Sequence, residues 1–200
     1  LSENNIKYTI YDKTVANPTT KNVAEAMDLF LSNNCNAIIG FGGGSSMDCA
    51  KAVGAKIAKP KQSLAKMKGI LKVHKRIPLL IAVPTTAGTG SETTLAAVIT
   101  DAETRHKYAI NDFPLIPRYA ILDPKVTLSL PPFITATTGM DALTHAVEAY
   151  IGNSTTYGTR MDALKAVELI FENIDTVYTD RKNEEARKKM LHASFYAGCA

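Results

Sequence analysis

Asp141 and His145 stand four residues apart in Gly139-Met140-Asp141-Ala142-Leu143-Thr144-His145-Ala146-Val147-Glu148, a helix-forming run. Side chains at i and i+4 share one helical face, so this carboxylate and imidazole can converge on a single ion. An oxygen and a nitrogen donor together suit a borderline divalent metal such as Fe²⁺ or Zn²⁺. Two donors fill only half of a coordination sphere, and the other histidines, His74, His106 and His192, have no spacing that completes it. A helical Asp–His pair that is merely exposed or hydrogen-bonded is the other reading of the same spacing.

Two loops carry glycines and hydroxyls where a nucleotide needs them. The first follows the apolar run Ala37 to Phe41 and reads Gly42-Gly43-Gly44-Ser45-Ser46-Met47-Asp48-Cys49-Ala50-Lys51. Glycines let the backbone turn sharply and approach a ligand with no Cβ in the way. Ser45 is expected to cap a helix from Ser46 to Ala58, with Ser45-x-x-Asp48 as a capping box. The free N–H groups and positive dipole end of such a helix favour a pyrophosphate; a capped helix after a glycine turn is also an ordinary structural feature. The run is not a G-x-G-x-x-G fingerprint, because Met47 replaces the third glycine, and it lacks the Gly-Lys-Ser/Thr of a P-loop. The second loop, Pro84-Thr85-Thr86-Ala87-Gly88-Thr89-Gly90-Ser91-Glu92-Thr93-Thr94, follows the apolar run Leu79 to Val83. Its hydroxyls can donate to phosphate, ribose or carboxamide at the carboxyl end of a strand, where open α/β sheets bind ligands. No G-x-S-x-G elbow occurs, which disfavours a serine hydrolase.

The elements that would position these groups change character along the chain. Up to about residue 125 strands alternate with helices. Lys7 to Tyr11 alternates apolar and polar residues, and Asn22 to Leu31 has helical spacing. Ala37 to Phe41 and Leu79 to Val83 read as buried strands, with shorter ones at Ala96 to Thr100, Tyr108 to Asn111 and Tyr119 to Leu122. After Asp123-Pro124 and Pro131-Pro132 the chain reads as helices over Phe133 to Tyr150, Thr155 to Val177 and Glu184 to Cys199. The fold class is therefore α/β: a Rossmann-like, mainly parallel sheet domain over 1–125, followed by the start of an all-helical metal and substrate domain over 126–200.

Composition sets outer bounds. The chain of 200 residues is 46% apolar and 21% charged, with net charge +4, ordinary for a globular protein. No run nears the roughly 20 apolar residues that span a bilayer, and no signal-peptide pattern opens the chain. Lys56 to Arg76 is basic without an acid, and reads as a solvated helical face rather than a contact for a nucleotide phosphate or an acidic partner; nothing suggests nucleic-acid binding. Cys35, Cys49 and Cys199 are too scattered for a zinc knuckle or redox pair, so reduced thiols in a cytoplasmic setting are expected.

The three motifs, in this order and spacing, resemble the iron-containing (group III) alcohol dehydrogenase family. Asn17-Pro18-Thr19 and Ile99-Thr100-Asp101 belong to the same resemblance, which extends over essentially the whole chain. It implies reversible hydride transfer between an alcohol and NAD or NADP, giving an aldehyde or ketone. It also implies Fe²⁺ or Zn²⁺ on Asp141 and His145. Residue by residue, it sets Gly43, Gly44, Ser45 and Asp48 at the pyrophosphate, and Thr85, Thr86, Thr94 and Lys107 on the nicotinamide–ribose side, with Asn17 nearby. No acid/base residue beyond the metal ligands is identified. A homo-oligomer without membrane or nucleic-acid partners is expected. Family members are longer at both ends, so a fragment is expected, inactive alone. A related zinc-dependent polyol or sugar-phosphate dehydrogenase, dehydroquinate-synthase-like chemistry, and a non-catalytic nucleotide-binding piece stay open as alternatives.

Overall fold

The computed structural model describes all residues, 1–200. The chain divides into two compact units: one is Leu1–Gly40, Ser45–Ile81 and Leu95–Arg118; the other is Phe41–Gly44, Ala82–Thr94 and Tyr119–Ala200.

In the first unit, helix α1 (Thr20–Ser32) opens with a reciprocal cap: Thr19 Oγ1 accepts from Asn22 N–H, and Asn22 Oδ1 accepts from Thr19 N–H. Both donors would otherwise be orphaned at a helix start. Val23, Ala26 and Met27 on its inner face meet the core. Helix α2 (Gly44–Ala58) is buried continuously from Cys49 to Ala55. Its small residues permit this, since a Cβ on Gly54 would lie only 2.9 Å from Ile77 Cδ1. Lys51 is fully buried in it, and its ammonium donates to Ala96 O at 2.9 Å.

Strand β1 is Ala37–Gly42, and the short β2 (Gly69–Ile70) was not legible in the sequence. β3 is Leu79–Pro84, β4 Ala96–Thr100, β5 Lys107–Asn111 and β6 Tyr119–Ala120. They form two sheets, β1-β3-β6 and β2-β5-β4. β2 runs parallel to β5, whereas β4 and β5 form an antiparallel pair with Val98 opposite Ala109. Arg118 N–H donates to Leu80 O and Ile121 N–H to Ala82 O. Donor and acceptor advance together there, the sense of a parallel pairing.

Three expectations differ from the structure. Lys7 to Tyr11 forms no strand, and Ile6, Tyr8 and Ile10 are exposed, because no neighbouring strand accepts the segment's hydrogen bonds. Ile39 and Phe41 lie on one face of β1 and are exposed rather than buried, because α2 covers only the opposite face, at Gly40. The basic stretch 56–76 is no helical face: α2 ends at Ala58, and a 3-10 turn (Leu64–Met67) and β2 follow. Two of its amines bind backbone carbonyls, Lys56 on Pro60 and Gln62, and Lys59 on Lys72, while Lys61, Lys66, Lys68, Lys72, Lys75 and Arg76 are exposed.

In the second unit, α3 (Pro132–Ile151), α4 (Tyr157–Thr179) and α5 (Glu184–Cys199) pack through Ala142, Ala146, Ala166, Ile170, Met190 and Ala193. Alanines at the contacts let helix axes approach closely. Thr156 and Asn183 cap α4 and α5 by accepting from Thr159 N–H and Ala186 N–H. Arg187 is buried without a carboxylate: Nη1 donates to Thr135 Oγ1 at 2.8 Å and Nε to Arg181 O. Burial, then the nearby Arg181, lowers its pKa from the ordinary value. The outer face of α4 leaves Tyr157, Met161, Leu164 and Phe171 exposed. No helix is long and apolar enough to cross a membrane.

Candidate cofactor and metal sites

The glycine turn has two physical requirements, one conformational and one steric. Gly42 has φ +143°, a region that side chains rarely tolerate. Its carbonyl accepts from Thr85 N–H at 3.0 Å, which lays the loops after β1 and β3 side by side. With both strand ends joined here, β1 and β3 run parallel. A Cβ on Gly43 would meet Thr86 Oγ1 at 3.3 Å, and one on Gly44 would meet Thr89 Oγ1 at 2.9 Å. Gly43, Gly44, Thr85 and Thr86 are thereby brought together. Thr89 escaped sequence reasoning, because nothing local pairs a loop threonine with a glycine 45 residues earlier. Thr94 closes the second loop, half-buried.

Helix α2 starts at Gly44, two residues earlier than the capping reading requires. Ser45 lies inside the first turn, and its Oγ accepts from Asn17 N–H at 3.3 Å. Asp48 is not a capping-box partner: Oδ2 accepts from Val98 N–H at 3.2 Å, which ties α2 to β4. Asn17 is held left-handed at φ 57°, and its Oδ1 accepts from Lys107 Nζ at 2.7 Å. Asn17, Ser45 and Lys107 therefore form one polar cluster, joining the start of α2 to the start of β5. Cys49 packs in the core, and burial pushes its thiol up from the ordinary range.

On α3, Asp141 Oδ1 and His145 Nε2 lie 3.7 Å apart, each side chain 45% exposed. That separation exceeds a hydrogen bond. It does fit two donors about 2.0–2.2 Å from one shared ion, which can stand roughly 4 Å apart. The residues present thus fit a borderline divalent ion, and no third Asp, Glu, His or Cys joins them. An open groove of about 570 Å³ belongs to neither cluster. It is lined at the other end of α2 by Lys56, with Lys21, Asp101 and Glu103, and its charges balance.

Strand, glycine turn and helix, together with a three-helix bundle over α3 to α5, define a Rossmann-like α/β protein that continues into helices. Residues 1–124 match the family model for iron-containing alcohol dehydrogenase, and residues 135–200 the model for the C-terminal part of the same family. The chain belongs to the iron-containing alcohol dehydrogenase family. It is 42% identical over 201 residues to alcohol dehydrogenase 4 of Schizosaccharomyces pombe, covering 100% of this chain and 47% of that one. It is 38% identical over 200 residues to the NAD-dependent methanol dehydrogenase of Bacillus methanolicus, covering 100% and 52%. The crystal structure of a 1,3-propanediol oxidoreductase superposes with TM-score 0.95 at 37% identity, over 98% of this chain and 51% of that one. The chain thus spans about half the length of the curated relatives it matches.

Proposed function

We propose that this chain carries the cofactor-binding part and half of the metal site of an alcohol dehydrogenase. The enzyme exchanges hydride reversibly between a small alcohol and NAD or NADP in the cytoplasm, as a homo-oligomer. The division of labour is a dinucleotide-binding part over 1–125 and a metal-binding helical part over 126–200. The single observation that carries the reading is the exposed Asp141–His145 pair on one face of α3, 3.7 Å apart, within a chain of this family. The names of the relatives, methanol and 1,3-propanediol among them, support a short-chain alcohol as substrate.

Gly43 and Gly44 contribute no side chain of their own at the start of α2, where Thr86 and Thr89 already approach, and the N–H groups of that first turn would hold a pyrophosphate. Ser45 lines that turn beside Asn17, while Asp48 acts from behind it by fixing α2 to β4. Thr85, Thr86, Thr94 and Lys107 offer hydroxyl and ammonium donors to the ribose and carboxamide of the nicotinamide half. Asp141 contributes oxygen and His145 nitrogen to the ion. When bound, a divalent ion acidifies an alcohol hydroxyl or polarises a carbonyl, and the nicotinamide carries the hydride.

The test is metal analysis of protein expressed from its complete coding sequence. Asp141→Ala and His145→Ala are each expected to lower bound Fe²⁺ or Zn²⁺, by about tenfold or more in affinity, since each removes one donor of roughly four. Chelation is expected to abolish alcohol oxidation, and Fe²⁺ or Zn²⁺ to restore it. Full metal occupancy with unchanged affinity in His145→Ala would reduce the pair to a structural feature.

A further inference from the structure

The loop of threonines is seated directly on the helix that carries the Asp–His pair. Ala87 packs against the helical core. With Thr138 and Arg187 it walls a cavity of about 10 Å³, room for roughly one water at most. A Cβ on Gly88 would lie 2.9 Å from Thr138 Cβ and 3.1 Å from Thr138 O. Gly90, at φ +58°, approaches α5 as closely: a Cβ there would lie 2.8 Å from both Gly198 Cα and Ser194 O. The loop therefore rests on backbone at two points, and backbone does not yield as a side chain does. The Thr138 hydroxyl donates to Ile134 O at 2.8 Å, so that side chain is held within its own helix.

Thr138 precedes Asp141 by three residues. On a helix that is about 4.5 Å along the axis and the same face, and His145 follows one turn later. We infer that the contact of Gly88 with Thr138 sets the distance between the reactive end of the cofactor and the metal ion, with both acting as positioning residues. The inference rests on the proposed function, in which Thr85 and Thr86 hold the nicotinamide half and Asp141 with His145 the metal. The contact is steric and has no polar link to stretch, so added bulk translates directly into separation. Hydride transfer needs reacting atoms within about 3–3.5 Å, and a 1 Å misplacement can cost roughly 10²-fold in rate.

The test is Gly88→Ala in the protein expressed from its complete coding sequence and loaded with metal. One readout is kcat; another is paramagnetic relaxation of the bound cofactor's nicotinamide protons by Fe²⁺ or Co²⁺ in the metal site, which reports their separation. The methyl group must clear at least half an ångström, so kcat is expected to fall about 10- to 100-fold and the relaxation to weaken. Metal content and cofactor affinity by calorimetry are expected to stay within about threefold. Thr138→Ser keeps the contacting atoms and is expected to match the parent protein in every readout. If Gly88→Ala does not fold, Thr138→Gly, which opens the same contact, is expected to alter the relaxation with metal retained. Unchanged relaxation and kcat in a folded Gly88→Ala protein would overturn the inference, as would a kcat loss fully explained by lost metal or lost cofactor. A parent protein that binds neither metal nor cofactor would overturn the functional reading itself, and would show this before any variant is made.

Discussion

Gly44→Ala separates two reasons for a glycine at the start of α2. The added Cβ would stand 2.9 Å from Thr89 Oγ1 and 3.0 Å from Thr89 Cγ2, where ordinary contact begins near 3.4 Å. Both γ atoms crowd it, so rotating Thr89 about χ1 exchanges one clash for another, and the loop must shift by about half an ångström. Overpacking of this kind costs about 1–3 kcal/mol. The low end is expected here, because Thr89 is exposed and its hydroxyl accepts only a 3.3 Å hydrogen bond from Ser91 N–H. If Gly44 also admits the pyrophosphate, the same methyl group should weaken NAD⁺ binding at least tenfold, about 1.4 kcal/mol. Thr89→Ala removes both γ atoms and leaves Thr89 Cβ at 3.4 Å, an ordinary contact. The double variant Gly44→Ala/Thr89→Ala is therefore expected to recover stability in chemical denaturation, yet to remain weak in calorimetric titration with NAD⁺. Thr89→Ala alone should bind nearly normally, which closes the cycle. Should the double variant regain parental affinity, Gly44 is there to accommodate Thr89, and the cradle argument fails.

Asn17→Ala is expected to weaken cofactor binding about five- to tenfold, through the lost acceptor for Lys107 and roughly 1–2 kcal/mol of left-handed strain at φ 57°. Asn17→Gly relieves the strain alone, so equal affinity in the two variants would assign the loss to the hydrogen bond, and parental affinity in both would remove Asn17 from the site. Asp101 is held below its ordinary value of 3.8 by Thr104 N–H and then Glu103 N–H. A lowered folded pKa contributes stability that is present above the unfolded value and lost as pH falls through the folded one. Amide exchange at Glu103 and Thr104, corrected for intrinsic rates, is thus expected to accelerate below pH 3.8; an Asp101→Asn protein with the same acid dependence would refute the assignment.

The features legible in the sequence are those decided within a few residues. β4 and α5 fall at the boundaries their patterns imply, because alternation and helical spacing act between near neighbours. The i, i+4 placement of Asp141 and His145 needs only a helix to become a pair. The family wording of the motifs is likewise local and survives without any coordinates. What tertiary structure decided lies in contacts between distant residues. Lys7 to Tyr11 has strand alternation, yet a strand exists only with a partner. β1 has an interior strand's composition but holds an edge position. Ser45 and Asp48 look like a capping box until Asn17 and Val98 engage them from outside the helix. The glycines show the division best. Their freedom at a turn can be read from type alone, but the need for Gly44 facing Thr89 and for Gly88 against Thr138 arises only when folding brings those threonines so near that an added Cβ would lie 2.9 Å from them, where close packing leaves no room for a methyl group.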